Sequence, residues 1–271
     1  MNFESFAYDI IVIAGQSNAQ GSGRGEVTEE FIPDNDIISI YPAFTTWVEE
    51  IDGVEKRVVR YEDTPLSLKI ADERVCNDKK TGDLSLIFAR EYKEKGLLED
   101  GRKILIIRAA IGATGFKSEN WGLGKPLYLK MIEMIDYALS LNPENRLKAL
   151  LWHQGEHEVG KENPPEIYYE QLSSMLFAVK EKYDVPNLPF VTGDFVNEWK
   201  STKMEKAIPI VDVIKRVTEE MGGIFIETAD LPSNNQRNGD GDIIHFSRES
   251  LHILGKRFFE AYQTIINRSQ K

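Results

Sequence analysis

Residues 9–25 read DIIVIAGQSNAQGSGRG. The apolar run over residues 10–14 predicts a buried strand, and it stops abruptly at Gly15-Gln16-Ser17-Asn18, a small polar cluster of turn formers. A buried strand feeding a tight loop presents polar residues at the carboxyl edge of a sheet, where open α/β folds hold their ligands. Ser17 is therefore a candidate nucleophile. The alternative is that it caps the helix that follows, a common use of serine.

Downstream the same grammar repeats. Apolar stretches over residues 37–41, 103–109, 147–152, 188–192 and 224–227 predict strands. Between them lie patterns of helical spacing: one from Leu84 stopped by Gly96, one opened by Pro126, one opened by Pro164-Pro165, then residues 209–220 and 247–267. Residues 48–51 and 54–59 flank Asp52-Gly53, a hairpin-turn pair. With the mixed stretch 71–82 around Cys76, they form an irregular insertion at about 45–82 that either borders a site or is a solvated excursion. Alternating strands and helices with short connections predict right-handed crossovers and helices on both faces of a parallel sheet. The expectation is one domain over residues 1–271, a three-layer α/β/α sandwich on a mostly parallel five-stranded sheet in the flavodoxin-like order 2-1-3-4-5.

Composition narrows the partners. A net charge of −11 disfavours nucleic acid, whose affinity for proteins comes largely from Lys and Arg displacing counterions. No apolar run approaches membrane-spanning length, so no membrane partner is expected. Cys76 is the single cysteine, which leaves neither an intrachain disulfide nor a cysteine-built zinc site. The start MNFESFAYD has no basic n-region, which reads as no signal peptide and a cytoplasmic protein; a chain already trimmed of a leader would be secreted or periplasmic.

A serine nucleophile needs a base, and the chain has four histidines: His153, His157, His245 and His252. His245 lies in a polar, glycine-containing loop before the last helix, with Asp242 three residues earlier to accept its Nδ1 proton and fix the tautomer. The fragment His153-Gln154-Gly155-Glu156-His157 admits two uses. Read literally, H-x-x-E-H is an inverted zinc-protease signature in which His153 and His157 bind the metal and Glu156 acts as base. That signature belongs inside a helix, whereas this fragment emerges straight from a strand with glycine at its centre. The other use is electrostatic: Gln154, with the backbone N–H groups of Ser17 and Gly112, would donate to the oxyanion that forms when a serine attacks an ester.

Together these blocks resemble the SGNH-type hydrolases, in the branch of carbohydrate esterase family 6 and the sialate O-acetylesterases. Gly15-Gln16-Ser17-Asn18-Ala19 is similar to its GQSN block, Gly112-Ala113-Thr114 to its G-G-T segment, and Trp152-His153-Gln154-Gly155-Glu156 to its W-x-Q-G-E block. Asp242 through His245 is similar to its D-x-x-H motif, and the four blocks occur in the family's order. The resemblance implies Ser17 as nucleophile, His245 as general base and acid, Asp242 as its orienting carboxylate, and Ser17, Gly112 and Gln154 as the oxyanion hole. Gln16, Asn18 and Glu156 would support them. It further implies a cofactor-free serine esterase that removes O-acetyl groups from an acetylated carbohydrate, of acetylxylan or O-acetylated sialic acid type. Trp121, Phe195, Asn197 and Trp199 are candidate rim residues, since aromatic faces suit sugar rings. Two departures stand out: Ala113 replaces the usual second glycine, and His157-Glu158 replaces the usual Ser-Asp after Glu156. The rival readings are a zinc hydrolase and a non-catalytic carbohydrate-binding protein on the same fold.

Overall fold

In the computed structural model, which describes residues 3–51 and 54–268, strand β1 (Ala7–Gly15) lies at the middle of a seven-stranded sheet. Helix α1 (Ser17–Gln20) follows, then β2 (Ile37–Ile40), a hairpin of β3 (Phe44–Ile51) and β4 (Val54–Tyr61), β5 (Lys69–Ile70), and a second hairpin of β6 (Arg74–Cys76) and β7 (Lys79–Thr81). The regular alternation then runs α2 (Leu84–Glu94), β8 (Arg102–Arg108), α3 (Pro126–Ser140), β9 (Arg146–His153), α4 (Glu156–Gly160) and α5 (Pro165–Lys182). It finishes with β10 (Phe190–Gly193), α6 (Asn197–Ser201), α7 (Met204–Glu220), β11 (Ile224–Ile226), α8 (Asn234–Asn238) and α9 (Arg248–Arg268). The hairpin turn read at Asp52-Gly53 lies outside the described residues.

The α/β class and the mostly parallel sheet match the sequence reading. The strand count and order do not. The order is β11-β10-β9-β1-β8-β2-β5, with β5 antiparallel to β2 and every other pairing parallel. Numbered along the chain, the parallel strands run 2-3-1-4-5-6 and not 2-1-3-4-5, because β8 inserts between β1 and β2. Charged residues at the strand starts give the physical reason. Arg102, at the head of β8, donates to Asp9 Oδ1 at 2.7 Å and to the Tyr8 carbonyl at 2.7 Å, all buried. Lys103 beside it reaches Asp36 at 2.7 Å and the Asn35 carbonyl at 2.7 Å, just before β2. Leaving Arg102 or Asp9 without the other would cost about 3–5 kcal/mol, so β8 is held against β1, while the partly exposed Lys103–Asp36 pair favours β2 on its other side.

Successive side chains point to opposite faces. On β9, Trp152 stacks edge-on to Trp121 and packs near Phe116, which meets Tyr168 of α5; the next residue, His153, faces Phe246 on the other side. On β10, Thr192 hydrogen-bonds Thr218 of α7, while Gly193 lies under Phe258 of α9. Helices α5 and α7 thus cover one face and α9, packed on α2, the other. Helix α7 begins five residues before the predicted start and holds Pro209 inside it. The carbonyl that Pro209 leaves without its helical donor belongs to Glu205, an exposed residue. Among the described residues no helix is long and apolar enough to cross a membrane.

The turn after β1 is tight. Gly15 sits at φ +132°, and a Cβ there would lie 2.1 Å from the His153 carbonyl oxygen, to which Gln16 N–H donates at 3.0 Å. Gly15→Ala should therefore destabilise the protein by roughly 2 kcal/mol or more through strain and overpacking. A lowered Tm in thermal unfolding would register it; an unchanged Tm would contradict the geometry.

Candidate active site

The loops that follow β1, β8, β9 and β10, together with the segment before α9, meet at the carboxyl edge around a cavity of about 530 Å³. Ser17, 8 % exposed, stands on its wall with Gly112, Glu156, Ile244 and His245. The capping alternative for Ser17 does not hold. It is the first residue of α1, Gln16 occupies the N-cap position, and no side chain caps the helix.

His245 is the best-determined member of the site. Its Nδ1 lies 2.9 Å from both carboxylate oxygens of Asp242, which leaves Nε2 as the ring nitrogen that Asp242 does not engage. Burial pushes the Asp242 carboxyl up, but hydrogen bonds from His245 and Asn234 and the charges of His245 and Arg24 outweigh it, so the group is held well below the usual carboxylate range. Arg24 Nη2 contacts Asp242 at 2.5 Å and Asp240 at 3.1 Å. Among the described residues no hydrogen bond joins Ser17 Oγ to His245.

Asn18 ties the Ser17 turn to the His245 loop. Its Nδ2 donates to Glu156 Oε1 at 2.9 Å and to the Ile244 carbonyl at 3.2 Å, while its Oδ1 accepts from Phe246 N–H at 3.1 Å. Both peptide groups flanking His245 are thereby fixed by the residue next to Ser17. Glu156 is buried on the cavity wall. Gln16 lines it too, accepting from His157 N–H at 3.1 Å.

Other expected residues fall elsewhere. Gln154 is 1 % exposed and does not line the cavity; its amide donates to Glu158 at 2.8 Å and to the Thr114 carbonyl. The reason is Glu158, a buried carboxyl that burial raises in pKa and that draws donors from Phe116 and Lys117 N–H, Gln154 and Asn163. The Gln154 amide expected at the oxyanion is thus engaged beneath the cavity and not on its wall. Of the four rim residues, Trp199 lines the cavity, whereas Trp121 and Phe195 are core residues and Asn197 is exposed on α6 away from the cavity. His153, Glu156 and His157 do not converge as ligands: His153 Nε2 pairs with the Asp194 carbonyl at 3.0 Å and His157 Nε2 with Ser118 Oγ at 2.5 Å. Burial, aided by the Lys161 charge, pushes the His157 pKa down to about 4, so its ring is neutral at ordinary pH.

Sequence reasoning missed Arg24, Asn234, Gln20, Arg57, Lys161 and Lys203. Gln20 and Arg24 lie within the opening stretch, yet nothing local marks them as cavity or triad residues. Arg57 enters the cavity wall from β4, where its Nη2 donates to Thr46 Oγ1 at 2.7 Å.

A family model described as carbohydrate esterase, sialic acid-specific acetylesterase, matches residues 7–264. A probable carbohydrate esterase of Arabidopsis thaliana is 25 % identical over 93 % of this chain and 89 % of its own length. The crystal structure of NanS superposes with a TM-score of 0.72 at 18 % identity, covering 97 % of this chain and 98 % of that one. A carbohydrate acetylesterase from Xanthomonas citri superposes with a TM-score of 0.61 at 17 % identity, covering 95 % of this chain and 56 % of that one.

Asn18→Ala leaves Phe246 N–H and the Ile244 carbonyl unpaired, so it should cost roughly 2–4 kcal/mol of stability and lower kcat more than it raises KM. Chemical denaturation beside steady-state kinetics checks both halves. Since the folded Asp242 carboxyl titrates below its unfolded value of about 3.9, its stabilising contribution is present above that pH and is lost as pH falls toward the folded value. An Asp242→Asn variant should accordingly show a shallower loss of stability below about pH 4 in acid unfolding.

Proposed function

The chain belongs to the carbohydrate esterase, sialic acid-specific acetylesterase family, and from that premise we propose that it is a serine esterase releasing acetate from an O-acetylated carbohydrate through an acyl-enzyme. The observation that carries this reading is the Asp242-locked His245 on the same cavity wall as Ser17. Ser17 Oγ attacks the acetyl carbonyl carbon, its proton passes to His245 Nε2, and the carbonyl electron pair moves onto oxygen. The backbone N–H groups of Ser17 and Gly112 are the oxyanion donors; glycine admits the close approach such a centre requires. The intermediate collapses, the sugar oxygen leaves with the His245 proton, and acetyl stays on Ser17. Water, deprotonated by His245, then attacks the acyl carbon, releasing acetate and returning the proton to Ser17 Oγ.

The cavity wall also favours one sugar type. Arg57, Lys161 and Lys203 line it, although the chain as a whole carries a net charge of −11. Such concentrated positive charge suits a sugar bearing a carboxylate, as O-acetylated sialic acid does, over neutral acetylxylan. Trp199 offers an apolar surface to the ring at the same wall.

The purified protein should hydrolyse a small acetyl ester with a chelator present, and Ser17→Ala should lower kcat by roughly 10³-fold or more. Chelator-sensitive activity that survives Ser17→Ala would overturn the mechanism. Acetate release should be faster from O-acetylated sialic acid than from acetylated xylo-oligosaccharides; the reverse preference would overturn the choice of sugar.

A further inference from the structure

Gln20, the last residue of α1, makes two hydrogen bonds, and the reaction above uses neither. Its Oε1 accepts from Gly112 N–H at 2.8 Å, and its Nε2 donates to Tyr41 Oη at 2.8 Å. The orientation of the carboxamide is not ambiguous, because a backbone N–H can be met only by the oxygen end. A Cβ placed on Gly112 would lie 3.2 Å from that oxygen and 3.4 Å from Ser17 Cβ, so Gln20 and Ser17 both crowd the same face of Gly112. Gln20, Ser17 and Gly112 all line the same cavity.

We propose that Gln20 plugs the oxyanion site of the resting enzyme: its carboxamide oxygen holds the Gly112 N–H that an ester carbonyl must take, and productive binding displaces it. This rests on the reading of Ser17 as nucleophile and Gly112 as oxyanion donor. Tyr41 is the latch. Its ring packs on Phe44, the first residue of β3, at 5.7 Å, and Arg74 of β6 lies over its face at 6.0 Å, so the insertion between β2 and α2 holds the plug in place. Gln20 is half-buried, and once released its amide reaches water, which makes the exchange of one neutral acceptor for another nearly balanced in the ground state. The balance tips when charge develops on the substrate oxygen, because a charged acceptor binds an N–H about twice as strongly as a neutral one. A carbonyl that never becomes an oxyanion gains little from the site, and the plug discriminates against it.

The test is steady-state hydrolysis of p-nitrophenyl acetate by Gln20→Ala, Gln20→Glu, Tyr41→Phe and Ser17→Ala. Gln20→Ala and Tyr41→Phe should each raise kcat/KM, the former by roughly two- to tenfold, the range set by one net hydrogen bond. The two gains should not add in the double variant, since both release the same plug. Gln20→Glu should lower kcat/KM, its carboxylate gripping Gly112 N–H more tightly than the amide does. A fall in kcat for Gln20→Ala, or no change in kcat/KM, would overturn the plug while leaving Ser17 chemistry intact. Wild-type turnover in Ser17→Ala is a separate result that would overturn the underlying reading and the plug with it.

Discussion

The Asn18 carboxamide spans the turn after β1 and a loop 226 to 228 residues later, accepting from Phe246 N–H and donating to the Ile244 carbonyl and Glu156. In a buried setting each of those groups would otherwise be an unpaired polar atom, so the chain has strong reason to keep all three contacts together. The consequence is geometric. The residue after the candidate nucleophile dictates where the peptide groups around His245 lie, and the hairpin-tight turn at Gly15 dictates where Asn18 lies. Local backbone constraint at one strand end is thereby carried to the His245 loop without any contact along the sequence.

Buried charge does the same work at larger scale. Asp9 with Arg102 sets β8 against β1. Glu73, from the insertion, pairs with Arg248 at 2.5 Å and His252 at 2.7 Å at the start of α9, directly after the loop that carries His245. Asp194 pairs with Lys200 at the carboxyl end of β10. Such pairs add little net stability over well-packed apolar residues, but breaking one is expensive, and that asymmetry makes them devices of register. An acidic chain can in this way commit its carboxylates to internal partners and still turn Arg57, Lys161 and Lys203 toward the cavity.

How much of this was legible varies with the range of the cause. The serine loop, the D-x-x-H segment and the small-residue loop at Gly112 were readable because each signal is local: a run of β-formers, a stop of turn formers, a titratable side chain at the stop. The direction of the Gln154 amide is not legible in the sequence because it is decided by Glu158, whose buried carboxyl claims it. Trp121 and Phe195 were misplaced at the rim for a related reason. An aromatic residue in a loop after a strand reads the same whether it covers the site or packs beneath it, and here Trp121 stacks on Trp152 while Phe195 fills the space that Gly155 leaves open.

By itself the sequence determined the alternation of strands and helices, the positions where strands give way to polar loops, and the placement of Ser17, Asp242 and His245 in such loops, since periodicity and turn chemistry act over a few residues. Tertiary structure alone decided that β8 lies between β1 and β2, that Arg57 reaches the cavity from a hairpin, that Arg24 backs Asp242, and that Gln20 rests on Gly112. Each of these follows from a polar group finding its partner at a distance that only the folded chain closes, so it is expressed only once the chain has folded.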